Sequence, residues 1–252
     1  LTIKLKQILK KLNFKTATIK KFYKNQIDEQ KLLQKKSSLY CEKNRVNALK
    51  NALEDNIDIA IFDDGLQDAF LNYDLSFVCF NNVNWIGNGF LIPSGPLRER
   101  FKSINKYDAI FLNGNEEDNF EIKNSIKKVN KNIKIFETYY RPINIHKFNI
   151  EDKYLIFSGI GSPVSFKKTL LKYKFKIIKE IIFPDHYQYT KKDIEKIKSL
   201  ANDLGATIMT TEKDYVRISQ QDSKEINFLE IELIIKKEDE LITFIKSKIW
   251  TL

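Results

Sequence analysis

The chain has 252 residues, 42% of them hydrophobic and 30% charged, enough apolar material to bury the core of one large domain or two modest ones. No window approaches the roughly 18 to 20 uninterrupted apolar residues of a spanning helix, the start has no apolar signal-peptide core, and two distant cysteines, Cys41 and Cys79, exclude a disulfide framework or a cysteine metal site. The formal charge of +10 leaves two readings open: attraction to an anionic partner (phosphate substrate, nucleic acid or bilayer face), or a compositional bias toward Lys, since only five of the 43 basic residues are Arg.

In chain order, Leu1, Ile3, Leu5, Ile8, Leu9 and Leu12 form a helical pattern with no capping residue ahead of it, so the helix is expected to begin upstream. Short apolar runs at 16–19, 57–62, 75–80, 109–112, 154–157, 177–183 and 207–209 are expected to be buried strands. Helical patterns lie between them at 42–53, 163–171 and 190–204, the last capped by Thr190. The polar stretch 113–132 reads as a solvated helix with its loops. Strand alternating with helix predicts an α/β fold, a parallel sheet covered on both faces. Arg141-Pro142 interrupts the pattern before a new strand-turn-helix unit at Tyr154, which suggests a division into 1–145 and 146–252.

Four segments carry candidate chemistry. The strand 57–62 runs into Asp63-Asp64-Gly65, and in open parallel sheets ligands bind beyond the carboxyl ends of strands. Two carboxylates there suit a hydrated Mg²⁺ beside nucleotide phosphates; a plain Asp-Gly turn is the competing reading. Residues 87–99 hold three glycines and two prolines and deliver Arg98 and Glu99 on a shaped loop, suited either to a phosphate site or to a surface ion pair. The segment 183–190 presents His186, one of two histidines, beside Asp185; it reads as a proton relay for a hydroxyl or as a structural imidazole. His146 sits in an undistinguished segment and reads as structural. Lys213, just past the strand at 207–209, reaches either a phosphate or its neighbours Glu212 and Asp214.

Taken together in order and spacing, Asp63-Asp64-Gly65-Leu66-Gln67, Gly87-Asn88-Gly89, Pro93-Ser94-Gly95-Pro96-Leu97-Arg98-Glu99, Phe157-Ser158-Gly159-Ile160-Gly161-Ser162-Pro163, Phe183-Pro184-Asp185-His186 and Thr210-Thr211-Glu212-Lys213-Asp214 resemble the tetraacyldisaccharide 4'-kinases. Ile27-Asp28-Glu29 resembles the family's Gly-Asp-Glu segment, so the likeness spans roughly residues 28 to 217. It implies a P-loop-NTPase-like parallel sheet with a second, smaller α/β lobe. It also implies transfer of the ATP γ-phosphate to the 4' hydroxyl of an acylated glucosamine disaccharide 1-phosphate, giving lipid IVA. By the same resemblance, Asp28 and His186 are the catalytic pair and Asp64 stands beside them. Asp63 and Glu99 serve Mg²⁺, and Arg98 and Lys213 serve the nucleotide. The implied partners are the acylated lipid and the cytoplasmic face of the bacterial inner membrane, with no nucleic acid.

The sequence departs from the family at several points. Asp68 stands where His is usual, Lys20-Lys21-Phe22-Tyr23 where Ser-Arg-Gly-Tyr is expected, and Ile27 where Gly is expected. No G-x-x-x-x-G-K-S/T run, the loop that cradles nucleotide phosphates, occurs in the 252 residues. The expectation is that this loop and the family's membrane-associating helix lie upstream of Leu1, and that the chain alone has little kinase activity. A catalytically silent protein that binds an anionic lipid is the alternative. A nucleic-acid binder is supported by charge alone, without a recognisable motif.

Overall fold

The computed structural model describes residues 1–24, 26–114 and 119–249. In chain order the elements are α1 (Thr2–Lys11), β1 (Thr16–Lys21), α2 (Ile27–Lys36), β2 (Leu39–Glu42), α3 (Arg45–Glu54), β3 (Ile59–Phe62), β4 (Phe77–Asn81), β5 (Ala109–Gly114), α4 (Phe120–Val129) and β6 (Lys134–Pro142). There follow β7 (Lys153–Ser158), α5 (Pro163–Lys172), β8 (Lys176–Ile182), α6 (Lys191–Leu204), β9 (Thr207–Thr211), the single turn α7 (Glu212–Tyr215), β10 (Ile226–Leu229), β11 (Ile231–Ile235) and α8 (Glu238–Ile249). The α/β class expected from the alternation is the one observed. The chain forms two compact units, Leu1–Gly65 with Pro142–Glu232, and Leu66–Arg141 with Leu233–Leu252.

The first unit holds two parallel sheets. One has the order β2-β1-β3, with Thr18 of β1 opposite Leu39 on one side and Ile61 on the other. Ala48 and Ala52 of α3 pack on Ala17 and Ile19 of β1, and their small side chains let the helix axis approach the strand closely. The other has the order β10-β9-β7-β8. In its central strand the side chains alternate between faces. Leu155 and Phe157 meet Ile194, Ile197 and Ala201 of α6, while Tyr154 and Ile156 meet Phe166 and Leu170 of α5. Because both faces are covered, β7 reads as an unbroken apolar run. Each such side chain, fully buried, contributes about 1.5–3 kcal/mol. Helix α6 starts in a capping box, Thr190 Oγ1 accepting from Asp193 N and the Asp193 carboxylate accepting from Thr190 N, and it stops at Gly205 with φ +57°.

The second unit is built on the sheet β11-β6-β5-β4. Strands β4, β5 and β6 are parallel. Strand β11 runs antiparallel to β6, between the bonds Ile143 N to Glu230 O and Lys236 N to Glu137 O, 3.0 Å each. One face of β5, Ile110 and Leu112, packs with Ile126 of α4 and with Ile104 and Ile133. Its other face, Phe111, stacks against Phe77 and Phe136, and both of these contact Phe244 of α8. The stretch read as a solvated helix is thus amphipathic where described, with Ile126 fully buried; its residues 115–118 lie outside the described ones. Arg98 and Glu99 precede a short 3₁₀ turn, Phe101–Lys106.

Candidate active site

In the first unit the strands of each sheet are parallel, so their carboxyl ends lie on one edge, and the chemistry-bearing side chains gather there. After β7 the chain passes Gly159, whose backbone is a hub. Its N–H donates to Asp214 Oδ1 at 3.0 Å, and its carbonyl accepts from His186 N at 3.1 Å and Arg217 Nη1 at 2.7 Å. A Cβ at this position would lie 3.0 Å from the Pro184 carbonyl oxygen and 3.1 Å from the Tyr189 hydroxyl. A side chain there would press these neighbours aside by a few tenths of an ångström, which glycine avoids.

His186 follows β8 in a left-handed conformation, φ +58°, held there by its N–H bond to Gly159. Its ring is one quarter exposed, and Nδ1 lies 3.2 Å from Oδ1 of Asp28, itself only 1% exposed. The tautomer with its proton on Nδ1 donates to Asp28 and leaves Nε2 able to accept a proton. Asp28 sits in the first turn of α2, 158 residues away in sequence. Its other oxygen accepts from Arg217 Nη2 at 2.5 Å and lies 3.7 Å from Lys213 Nζ. Burial by itself would raise the pKa of this carboxyl; the Arg217 hydrogen bond and the electrostatics of Arg217, Lys213 and His186 outweigh it and hold the group below the usual carboxylate range.

A second string of charges begins at the next residue. Glu29 Oε1 accepts from Lys213 at 2.9 Å and Oε2 from Lys20 at 3.2 Å. Lys20, almost wholly buried at the end of β1, donates in turn to Asp63 Oδ2 at 2.6 Å, and Asp63 Oδ1 accepts from Thr2 Oγ1 at 2.9 Å. Burial pulls the Lys20 ammonium toward deprotonation, but Asp63 and Glu29 outweigh it and its pKa is raised. Asp64 adopts φ +52° just past β3, and its carbonyl accepts from Arg45 Nη2 at 2.6 Å.

Asp28, His186 and Lys213 are therefore brought into one cluster, and Asp63 joins it through Lys20 and Glu29. Arg98 and Glu99 belong to the second unit, where Arg98 Nη1 donates to Gln67 Oε1 at 3.3 Å and Glu99 accepts from the Tyr107 hydroxyl at 2.8 Å. The sequence reading missed Arg217, Asp214, Glu29 and Lys20 as site residues. One signal was available: a chain that uses Lys almost everywhere keeps Arg at position 217, four residues after Lys213, and a guanidinium is needed only where its planar fork is used. Lys20 was noticed only as a departure, yet it stands at the centre of the second string.

Among the described residues no group of three or more His, Cys, Asp or Glu converges as a protein cage for a metal. Mg²⁺ does not need one, since it keeps several waters and takes one or two carboxylates plus substrate phosphates. Asp63 fits that role: one carboxylate oxygen already takes a cation, Lys20, and the other accepts from the Thr2 hydroxyl.

Residues 17–250 match the family described as Tetraacyldisaccharide-1-P 4'-kinase. A tetraacyldisaccharide 4'-kinase of Pelagibacter ubique (strain HTCC1062) is 48% identical over 241 residues, covering 96% of this chain and 77% of the relative. Those of Rickettsia bellii (strain OSU 85-389) and Rickettsia peacockii (strain Rustic) are each 36% identical, over 85% and 84% of this chain and 65% and 64% of their own length. The chain thus spans about three quarters of the first relative and just under two thirds of the other two.

Proposed function

The chain belongs to the tetraacyldisaccharide-1-P 4'-kinase family, and on that premise we propose that it supplies the acceptor-activating and metal-binding side of an ATP-dependent lipid kinase. The reaction is transfer of the ATP γ-phosphoryl group to the 4' hydroxyl of a tetraacyl glucosamine disaccharide 1-phosphate, giving lipid IVA. The observation that carries the reading is the Asp28–His186 pair, a buried carboxylate holding a partly exposed imidazole. A sugar hydroxyl is too weakly acidic to attack unaided. The pair takes up its proton as it attacks, Asp28 orienting the ring and balancing the charge that develops on it.

Asp63 would hold Mg²⁺, with Asp64 beside it; the ion neutralises phosphate charge during transfer. Lys213, 2.9 Å from Glu29 and 3.7 Å from Asp28, is placed to meet a phosphate oxygen once substrate competes for it. Arg98 and Glu99 are assigned to nucleotide and metal by the family resemblance, with the rigid 87–99 loop in support. Charge neutralisation and positioning supply most of the rate in such transfers.

The membrane surface is the proposed partner and its cytoplasmic face the proposed location. Among the described residues no helix is long and apolar enough to cross a membrane. In the second unit Phe90, Leu91 and Ile92 stand exposed in succession on a loop closed by Asn88, which donates to Ser94 O. Exposed Arg98, Arg100 and Lys102 follow within ten residues. Exposed apolar residues followed closely in sequence by exposed basic ones suit an anionic bilayer interface.

The test is phosphate transfer from radiolabelled ATP to the lipid acceptor by the protein as encoded, with Mg²⁺ present. Asp63→Ala and His186→Ala are expected to lose on the order of 10²-fold or more in kcat. Lipid binding with no transfer under any condition would identify the silent binding protein instead.

A further inference from the structure

Arg217 uses its fork on three partners. Nη1 donates to the Gly159 carbonyl at 2.7 Å and to Asp214 Oδ1 at 2.9 Å, and Nη2 donates to Asp28 Oδ2 at 2.5 Å. Arg217 and Asp28 side chains are each 1% exposed and Asp214 is 0% exposed. Asp214 is itself fixed on both oxygens: Oδ1 also accepts from Gly159 N and the Tyr189 hydroxyl, and Oδ2 from the Thr211 hydroxyl at 2.7 Å. Arg217 Nε is buried with no hydrogen-bond partner among the described residues. The guanidinium is thus placed by its two terminal nitrogens at the expense of its third, which marks those contacts as the ones that set its position.

The Gly159 carbonyl that receives Arg217 also receives the His186 N–H. One guanidinium and one peptide group therefore set both members of the pair. We propose that Arg217 is a positioning residue of this kinase: braced by Asp214 and Gly159, it fixes the Asp28 carboxylate with Oδ1 toward His186. The proposal rests on the reading that Asp28 and His186 activate the acceptor hydroxyl. A Lys at 217 would keep the charge, but a single nitrogen cannot span Asp28, Asp214 and the carbonyl in this planar arrangement.

The brace also governs ionisation. Facing Asp28 are Arg217 and Lys213 from the turn after β9 and His186 from the turn after β8; its neighbour Glu29 is engaged by Lys213 and Lys20. Arg217 is the nearest of these groups, so loosening it leaves the Asp28 charge less compensated and lets the Asp28–His186 pair take up a proton at higher pH.

The experiment compares Arg217→Lys and Asp28→Asn with the wild-type protein as encoded, measuring phosphate transfer to the lipid acceptor across pH. Folded Arg217→Lys is expected to lose on the order of 10²-fold in kcat, keep KM for Mg-ATP within about twofold, and show the acid limb of kcat moved up by about one pH unit. An unchanged kcat, or a lower kcat with the acid limb unmoved, overturns the proposal; the second result marks Arg217 as structural. If Asp28→Asn keeps near wild-type kcat, the pair itself is misassigned and the proposal goes with it. An inactive Asp28→Asn beside a fully active Arg217→Lys leaves the pair standing and removes only the brace. Should Arg217→Lys fail to fold, Tyr189→Phe takes one bond from Asp214 while keeping the ring; a severalfold lower kcat with unchanged KM for Mg-ATP is expected, and wild-type kcat overturns the proposal.

Discussion

Asp28 is a carboxylate kept ionised in the interior by its neighbours, and this has a consequence for stability. Its folded pKa lies below the ordinary value, so the unfolded chain binds its proton first as pH falls. The stabilisation is fully present above pH ~4 and is lost as pH drops through the depressed folded value. Urea midpoints of wild type and Asp28→Asn should therefore differ at neutral pH and converge in acid; a gap that persists unchanged in strong acid would contradict this. Tyr107 is the opposite case. Burial and the hydrogen bond to Glu99 push its phenol up to about 12. Its neutral form stabilises the fold fully below pH ~10, and that contribution fades as pH rises through the folded value. An ultraviolet difference titration of wild type against Tyr107→Phe should show one tyrosine ionising late. None of this was visible in the order of residues, because Asp28 looks like any helix-start Asp until Arg217 and His186 arrive from positions more than 150 residues away.

Helix α6 was read from its apolar spacing and from Thr190 at its start, both local signals that the structure uses; Gly205, at its end, is a further one. Thr190→Ala should cost about 1 kcal/mol, measured as a fall in the urea midpoint without a change of slope. Helix α4 was legible only in part. Its many Lys and Asn residues suggested solvation, yet Ile122, Ile126 and Val129 recur at helical spacing and line one buried face. Ile126→Ala should cost about 2–5 kcal/mol; a cost below about 1 kcal/mol would mean that the face is solvated after all. Strands β5 and β7, buried on both faces, announce themselves as apolar runs. Strands β2, β6, β10 and β11 were not read from the sequence; β6 lies inside its sheet, yet Lys134, Glu137, Thr138 and Arg141 interrupt its apolar residues.

The excess of 43 basic over 33 acidic residues acts on the whole chain. If it serves an anionic bilayer, binding to vesicles rich in anionic lipid should weaken steeply as salt is raised, and neutral vesicles should bind little. Replacing Phe90 and Ile92 by Ser should weaken that binding further, with little effect on the thermal midpoint because both side chains are exposed. Binding that ignores salt and survives those substitutions would return the charge to mere composition. Each compact unit is assembled from two separate stretches of chain, so the sheet β11-β6-β5-β4 is completed by a strand that arrives almost 90 residues after β6.

Periodicity, caps and the carboxylates after an apolar strand are local properties, and they were enough to establish the α/β class, most buried strands and the candidate status of Asp63, His186 and Lys213. Family likeness added Asp28. The charge relationships were settled only by folding: Arg217 closing on Asp28, Lys20 seated between Asp63 and Glu29, and Gly159 tying His186 to the same brace. An ion pair depends on distance in space and on shared burial. Parallel strands joined by helices bring their carboxyl ends together from remote parts of the chain, and no sequence spacing encodes that meeting.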